Sequence, residues 1–175
     1  SHNLKGVEGH DLVLARNAGQ LLGKVVCSSA SGFSLPDSVA MLTARIPLPM
    51  PEPALRFNHW LALRPWVFNS VFGELKGEIT LLQLGPVVFA GLPADFSGEL
   101  YLRHLSGQAS QSGLQLAITG FNGGYVGYIV DKSHFSNSTK EEVTTMNWLG
   151  ANGGEYLVAV LNRLLENVAV EEDGY

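Results

Sequence analysis

The sequence predicts an α/β domain with a mixed β-sheet and flanking helices. Two observations favour this class: strand-like and helix-like runs follow one another along the chain, and 46% of the 175 residues are hydrophobic, enough to build a core. A formal net charge of −5 with 15% charged residues argues against disorder and against a basic surface for nucleic acid. We therefore expect one folded domain over residues 1–175, or a piece of a larger one.

The first half of the chain predicts a helix, an extended segment and a β-hairpin. The stretch 9–26, "GHDLVLARNAGQLLGKVV", carries apolar residues at helical spacing, which is typical of a packed surface helix. Alternating prolines in "IPLPMPEP", 46–53, exclude a helix interior and a central strand, so we expect an extended crossing segment, with a sheet edge as one place for it. The run 78–93, "EITLLQLGPVVFAGLP", predicts a hairpin with its turn near Gly85 and a second strand ending at Asp95.

The second half predicts a short helix, a strand and a long final helix. The run 97–108 begins with Ser97 as a candidate cap and has Glu99 in its first turn. The run 114–121, "LQLAITGF", predicts a strand that ends at the glycine-rich turn "NGGYVGY". The run 152–168 combines capping-box spacing at its start with one apolar face, which predicts a docked helix.

Compartment and metal content are not fixed by the residues alone. The single cysteine, Cys27, excludes an internal disulfide framework, and no two of the five histidines stand at a metal-ligand spacing. No apolar run reaches the roughly 18 residues of a membrane span, so we expect no transmembrane segment. The opening "SHNLKG" lacks the features of a signal peptide, so we expect either a cytosolic protein or a chain that begins after something has been removed.

Asp95 and Tyr128 are the candidate site residues, because each follows a predicted strand, where ligands of α/β sheets tend to bind. Each also has a simpler interpretation. Asp95 is suited to be the N-cap of the following helix. Tyr128 is suited to be a half-buried packing residue whose hydroxyl bonds to the backbone.

The order of segments resembles the later part of the catalytic domain of the neutral (alkaline, non-lysosomal) ceramidases. The quoted stretches that carry the resemblance are "IPLPMPEPALRF", "VVFAGLPADFSGEL" and "GFNGGYVGYIVDKSHF". The resemblance implies that Asp95 and Tyr128 stand where that family has two zinc ligands, a glutamate and the second tyrosine of a Tyr-x-x-Tyr loop. Asp95 is one methylene shorter than the family's glutamate. No residue of this chain matches the family's two histidine ligands or its catalytic groups.

The resemblance also implies a function: a Zn²⁺-dependent amide hydrolase that cleaves ceramide, or a similar N-acyl lipid, into fatty acid and sphingosine through a metal-activated water. It implies an extracytoplasmic location, whether secreted, periplasmic or at the cell surface. The missing ligands leave two explanations: the chain is the carboxy-terminal part of a catalytic domain whose upstream half supplies them, or it is a degenerate lipid- or protein-binding domain. The polar run 131–146 beside the site predicts a mobile flap.

Overall fold

The computed structural model describes residues 10–30, 32, 37–57, 61–137, 143 and 145–172. The chain divides into two compact units, Ser1–Ser38 and Val39–Tyr175. In the first unit, helix α1 covers His10–Ala30, which confirms the predicted helix. The apolar residues that predicted a packed face are exposed, among them Leu14, Leu21 and Val25, so no packed face is seen within this unit.

The second unit is an α/β arrangement around a four-stranded mixed sheet, as predicted. Its strands are β1 (Met41–Pro47), β2 (Glu78–Leu84), β3 (Val87–Gly91), β4 (Asp95–Phe96), β5 (Gln115–Thr119) and β6 (Tyr128–Ile129). Its helices are α2 (Pro65–Phe72), α3 (Gly98–His104), α4 (Ser106–Gln111), α5 (Lys132–Asn137) and α6 (Gly153–Glu172). The main sheet has the order β1-β2-β3-β5, while β4 and β6 form a separate two-stranded sheet.

The predicted hairpin is confirmed, and its turn has the expected glycine. Strands β2 and β3 pair in antiparallel register, with Leu84 opposite Val87. Gly85 has a φ of 53°, a left-handed conformation that glycine adopts without steric cost. Strand β3 ends at Gly91, earlier than predicted, and Asp95 belongs instead to the short strand β4.

The proline-rich segment lies at a sheet edge, one of the places considered for it. Strand β1 is an outer strand, and it ends at Pro47. The sequence does not predict this strand, which ends at the first of these prolines. Pro47 is tolerated there because an outer strand has one side whose backbone groups need no partner strand.

One face of the main sheet is buried beneath α3, α4 and α6. Ile79 and Ala90 of the sheet are fully buried, and α6 contributes Leu157, Leu161 and Leu165 to the same core. These three leucines recur at four-residue spacing, as a single apolar helix face requires. The docked C-terminal helix predicted from the sequence is therefore confirmed, although the side chain of Val168, which was assigned to the same face, lies outside the described residues.

The opposite face of the sheet is more open. Met41 is 70% exposed and Phe89 is 37% exposed, whereas Val88 and Ala90, the sequence neighbours of Phe89 on the other face, lie in the core. This difference follows from the alternation of side chains along a strand. Among the described residues, none of the helices is both long and apolar enough to span a bilayer.

We expect Leu161→Ala to lower the free energy of unfolding by about 2–5 kcal/mol, because it leaves a cavity at a side chain that is only 1% exposed. Leu102→Ala is the matched control, since Leu102 is 71% exposed on α3, and it should change stability by less than about 0.5 kcal/mol. Urea denaturation followed by circular dichroism measures both. Equal losses in the two variants would contradict the assignment of the core.

Candidate functional site

The two candidate residues lie side by side. Strands β4 and β6 pair in parallel, and Asp95 is the register partner of Tyr128 although 33 positions (128 − 95) separate them. Backbone hydrogen bonds hold this register, from Asp95 N to Gly127 O at 3.1 Å and from Ser97 N to Ile129 O at 2.9 Å. Register partners present their side chains on the same face of a sheet, so the carboxylate and the phenol share one face.

The loops that carry these strands are joined by further backbone hydrogen bonds. Leu92 N donates to Thr119 O at 2.8 Å, and Val126 N donates to Pro93 O at 2.7 Å. Asn122 N donates to Leu92 O at 2.9 Å. The segments 92–97 and 119–129 therefore form one connected unit, which fixes the position of two strands that are each only two residues long.

Two glycines of this unit allow its backbones to approach closely. Gly120 lies so near the loop before β4 that an added Cβ would stand 2.7 Å from Ala94 O. Gly127 has a φ of 95°, and an added Cβ there would collide with the Met146 carbonyl. Because Tyr128 N donates to Met146 O at 2.8 Å, Gly127 lets β6 contact the 146–147 segment on the side away from β4.

The N-cap interpretation of Asp95 is wrong, whereas Tyr128 is half-buried as its simpler interpretation expected, without the expected hydrogen bond to the backbone among the described residues. Ser97 is the N-cap of α3, and its side chain accepts a hydrogen bond from Glu99 N at 3.2 Å. Within the part of the chain that the structure describes, neither the Asp95 carboxylate nor the Tyr128 hydroxyl makes a hydrogen bond. Both side chains are partly buried. They are therefore available to a ligand.

A third oxygen donor, Tyr125, was not selected from the sequence. Burial raises the pKa of Tyr125, and the nearby Tyr128 and Asp95 raise this pKa further, so the three side chains are close enough to interact electrostatically. Tyr125 stands three positions before Tyr128 in "GGYVGY", and that spacing was the available signal. A tyrosine phenol is protonated at neutral pH, so Tyr125 can donate a hydrogen bond.

Asn147 adds an unsatisfied polar group next to β6. It is 1% exposed, and neither atom of its amide has a partner within the described part of the chain. The backbone of Asn147 forms an isolated antiparallel β-bridge with Gly127, the residue before Tyr128. A buried amide without partners costs about 1–3 kcal/mol per group, so a water or a polar group of a ligand is expected beside it.

Asp95 and Tyr128 fit part of the ligand set of a metal ion. Carboxylate and phenol oxygens are hard donors that Zn²⁺ accepts, but a catalytic zinc needs three or more protein ligands. Within the described residues, no group of three or more His, Cys, Asp or Glu side chains is arranged to hold a metal. A zinc ion bound by Asp95 and Tyr128 would therefore require ligands from outside these residues.

The described histidines of this region belong to a separate charged cluster on α3 and α5. His134 Nε2 lies 2.6 Å from Glu99 Oε2, and Arg103 lies 2.6 Å from the other oxygen of Glu99. His104 lies 3.9 Å from Asp131. This cluster connects α5 to α3, which is the helix that follows Asp95.

The run 131–146, for which a mobile flap is predicted, contains a helix in its first part. Helix α5 covers Lys132–Asn137, and Phe135 is 5% exposed. Asp131 caps the helix, because its carboxylate accepts a hydrogen bond from Ser133 N at 2.9 Å. Residues 138–142 and 144 of the run lie outside the described residues.

The comparisons with known proteins identify a shared fold. No family model matches the sequence, and no curated protein does. Among solved structures, neutral ceramidase from Pseudomonas aeruginosa matches with a TM-score of 0.54 and 10% identity over 75% of this chain and 29% of that chain. A ceramidase complexed with C2 matches 55% of this chain and 15% of its own, with 18% identity and a TM-score of 0.41. The chain thus has an α/β fold similar to part of neutral ceramidase, and it spans less than a third of that enzyme.

We expect Gly127→Ala to destabilise the protein by more than about 2 kcal/mol, because it combines an unfavourable positive φ with a backbone collision. Gly113→Ala is the matched control: its φ is 70°, but the space around it is open, so it should cost only about 1 kcal/mol. Denaturant unfolding measures the difference. If both variants lost the same stability, the close approach of Met146 to β6 would be refuted.

The cap of α5 should depend on pH. Hydrogen bonds from Ser133 hold the pKa of Asp131 below its ordinary value of 3.8, and Arg103 and His104 lower this pKa further. A carboxyl with a lowered folded pKa stabilises the protein above its unfolded pKa, and this contribution is lost as pH falls through the folded pKa. Wild type should therefore be more stable than Asp131→Asn above about pH 4, and the difference should vanish in stronger acid. Thermal unfolding across pH measures this, and a difference independent of pH would contradict it.

Proposed function

We propose that this chain carries part of the active site of a zinc-dependent amide hydrolase of the neutral ceramidase type, with Asp95 and Tyr128 as two of the metal ligands. The supporting observation is the pairing of β4 with β6, which makes these two residues register partners in a fold similar to part of that enzyme. The proposed substrate is ceramide or a similar N-acyl lipid. The proposed location is extracytoplasmic.

Zinc, when bound, lowers the pKa of a coordinated water to about 7 and polarises a carbonyl. The role of this chain is to hold two oxygen ligands in a fixed relation. Asp95 supplies a negative charge and Tyr128 a phenol oxygen, and the backbone register between their strands keeps both on one face. The phenol of Tyr125, which is protonated at neutral pH, is a hydrogen-bond donor near them, suited to an amide carbonyl oxygen of a substrate.

The remaining ligands are proposed to come from the other part of a larger catalytic domain. Of the five histidines, His104 and His134 contact acidic residues of the α3–α5 cluster. A site with two oxygen ligands holds zinc weakly. We therefore expect the 175-residue chain by itself to hydrolyse no N-acyl sphingosine and to bind zinc weakly. We expect the complete protein to bind zinc and to hydrolyse N-acyl sphingosine.

In a protein that contains the full ligand set, Asp95→Ala and Tyr128→Phe should each lower zinc content and amide hydrolysis together, with activity reduced at least about 100-fold, because each change removes a donor that the metal needs. Metal analysis and turnover of a fluorescent N-acyl sphingosine measure the two effects. Tyr156→Phe is the control, because the Tyr156 hydroxyl donates to Pro49 O at 2.7 Å and is not part of the site.

Two results would refute the assignment. One is an Asp95→Ala protein that retains its zinc and its rate. The other is a wild-type protein with neither zinc nor amidase activity that still binds N-acyl lipids, because that result identifies a non-catalytic lipid-binding domain.

A further inference from the structure

Four aromatic side chains form a continuous row that reaches the candidate site. We call this set the aromatic row: Phe72, Trp148, Tyr125 and Phe121. Neighbouring ring centroids lie 5.9, 5.4 and 5.4 Å apart in that order, and the rings of Tyr125 and Phe121 are stacked at 6°. Phe68, 1% exposed, contacts both Phe72 and Trp148 and supports that end of the row.

The two ends of the row are open to solvent. Phe72 is 56% exposed and Phe121 is 64% exposed. The side chains come from three separate segments: the end of α2, the turn after β5, and the residues that follow the bridge at Asn147. The two middle rings, Tyr125 and Trp148, are partly buried. A contiguous, at least partly exposed apolar surface that the fold assembles from distant segments is typical of a binding site, whereas scattered exposed apolar residues are ordinary.

The backbone at Phe121 supports a functional interpretation. Among the described residues, Phe121 is the one non-glycine residue with a positive φ, 59°. A left-handed conformation costs an aromatic residue about 1–2 kcal/mol, which glycine or asparagine would largely avoid. The ring of this residue stacks on Tyr125, and stored strain of this kind concentrates at ligand sites.

Tyr125 connects the row to the candidate site. Its ring contacts Phe121 and Trp148, and its hydroxyl interacts electrostatically with Tyr128 and Asp95. A single ligand on this surface would therefore meet polar oxygens at one point and apolar rings to either side of it. This arrangement complements a molecule with one polar group and a hydrocarbon chain.

We propose that the aromatic row binds the hydrocarbon chain of an N-acyl lipid whose amide group lies at Asp95 and Tyr128. This inference rests on the proposed function, because that function supplies the amide. It adds which residues of this chain contact the lipid chain, and it makes the row a determinant of chain-length preference.

Affinity should rise with chain length. Full burial of a methylene group improves affinity about four-fold. The aromatic row covers the hydrocarbon chain on one side only, so it should provide about half of that free energy. Each added methylene should therefore improve affinity about two-fold. The dependence should end once the chain extends past the exposed terminal ring, where added methylenes gain no contact.

Trp148 provides a direct readout. In a protein carrying Trp60→Phe and Trp66→Phe, Trp148 is the remaining tryptophan, and its fluorescence reports binding of N-acylethanolamines from hexanoyl to dodecanoyl in buffer with a zinc chelator. Two variants remove one end of the row each: Phe121→Asn, which tolerates the positive φ, and Phe72→Ala. Phe89→Ala is the control, because Phe89 is exposed on the sheet and is not in the row.

We expect affinity to rise with acyl-chain length in the parent protein and in the Phe89→Ala control. In both row variants, we expect affinity to rise less with chain length. Equal dependence in all four proteins would overturn the inference. A concentration-dependent dimer that Phe72→Ala dissociates, without lipid binding, would also overturn it by identifying the row as an interface between copies.

The two proposals fail separately. If the row variants flatten the dependence but zinc and hydrolysis are absent from the complete protein, the chain-binding inference is supported and the hydrolase proposal is refuted. If Asp95→Ala lowers zinc content and hydrolysis as expected, but the row variants leave the rise of affinity with chain length unchanged, the hydrolase proposal is supported and the chain-binding inference is refuted.

Discussion

The site of this protein depends on the backbone pairing of β4 with β6. A two-residue strand has little stability of its own, so the register of Asp95 with Tyr128 persists only because the flanking loops are hydrogen-bonded to each other and because Gly127 admits Met146 on the far side. The interaction is between main-chain atoms. It therefore fixes the two Cα positions without using the carboxylate or the phenol, and both side-chain oxygens remain available for chemistry.

Much of the fold can be predicted from the sequence where one physical rule dominates a segment. The hairpin at Gly85, strand β5 and helix α6 each follow from side-chain periodicity combined with a turn or capping residue. Strand β1 was not predicted because the prolines that begin at its last residue, Pro47, indicated an irregular segment, and a strand at a sheet edge tolerates a proline. Helix α5 was missed because its stabilisation comes from contacts distant in sequence, among them the pair of His134 with Glu99.

The candidate site could be predicted in part, for a related reason. Asp95 and Tyr128 each follow a predicted strand, which made them candidate site residues, and the structure places them as register partners. The N-cap interpretation of Asp95 failed because Ser97 lies nearer the first helical turn and takes that role. Tyr125 had a local signal in its spacing from Tyr128, but the aromatic row has none, because its members come from segments up to 76 positions (148 − 72) apart and meet only in three dimensions.

The same constraint explains why polar and apolar ligand groups would meet at one point. Tyr125 stands in the loop that leads into β6, so the backbone pairing that sets Tyr128 opposite Asp95 also sets the position of the Tyr125 ring. The ring then stacks on Phe121 and meets Trp148 edge to face. A displacement of β6 would move the Tyr125 hydroxyl and its ring together. The alignment of a lipid chain with an amide at Asp95 and Tyr128 therefore depends on the strand register rather than on any one side chain.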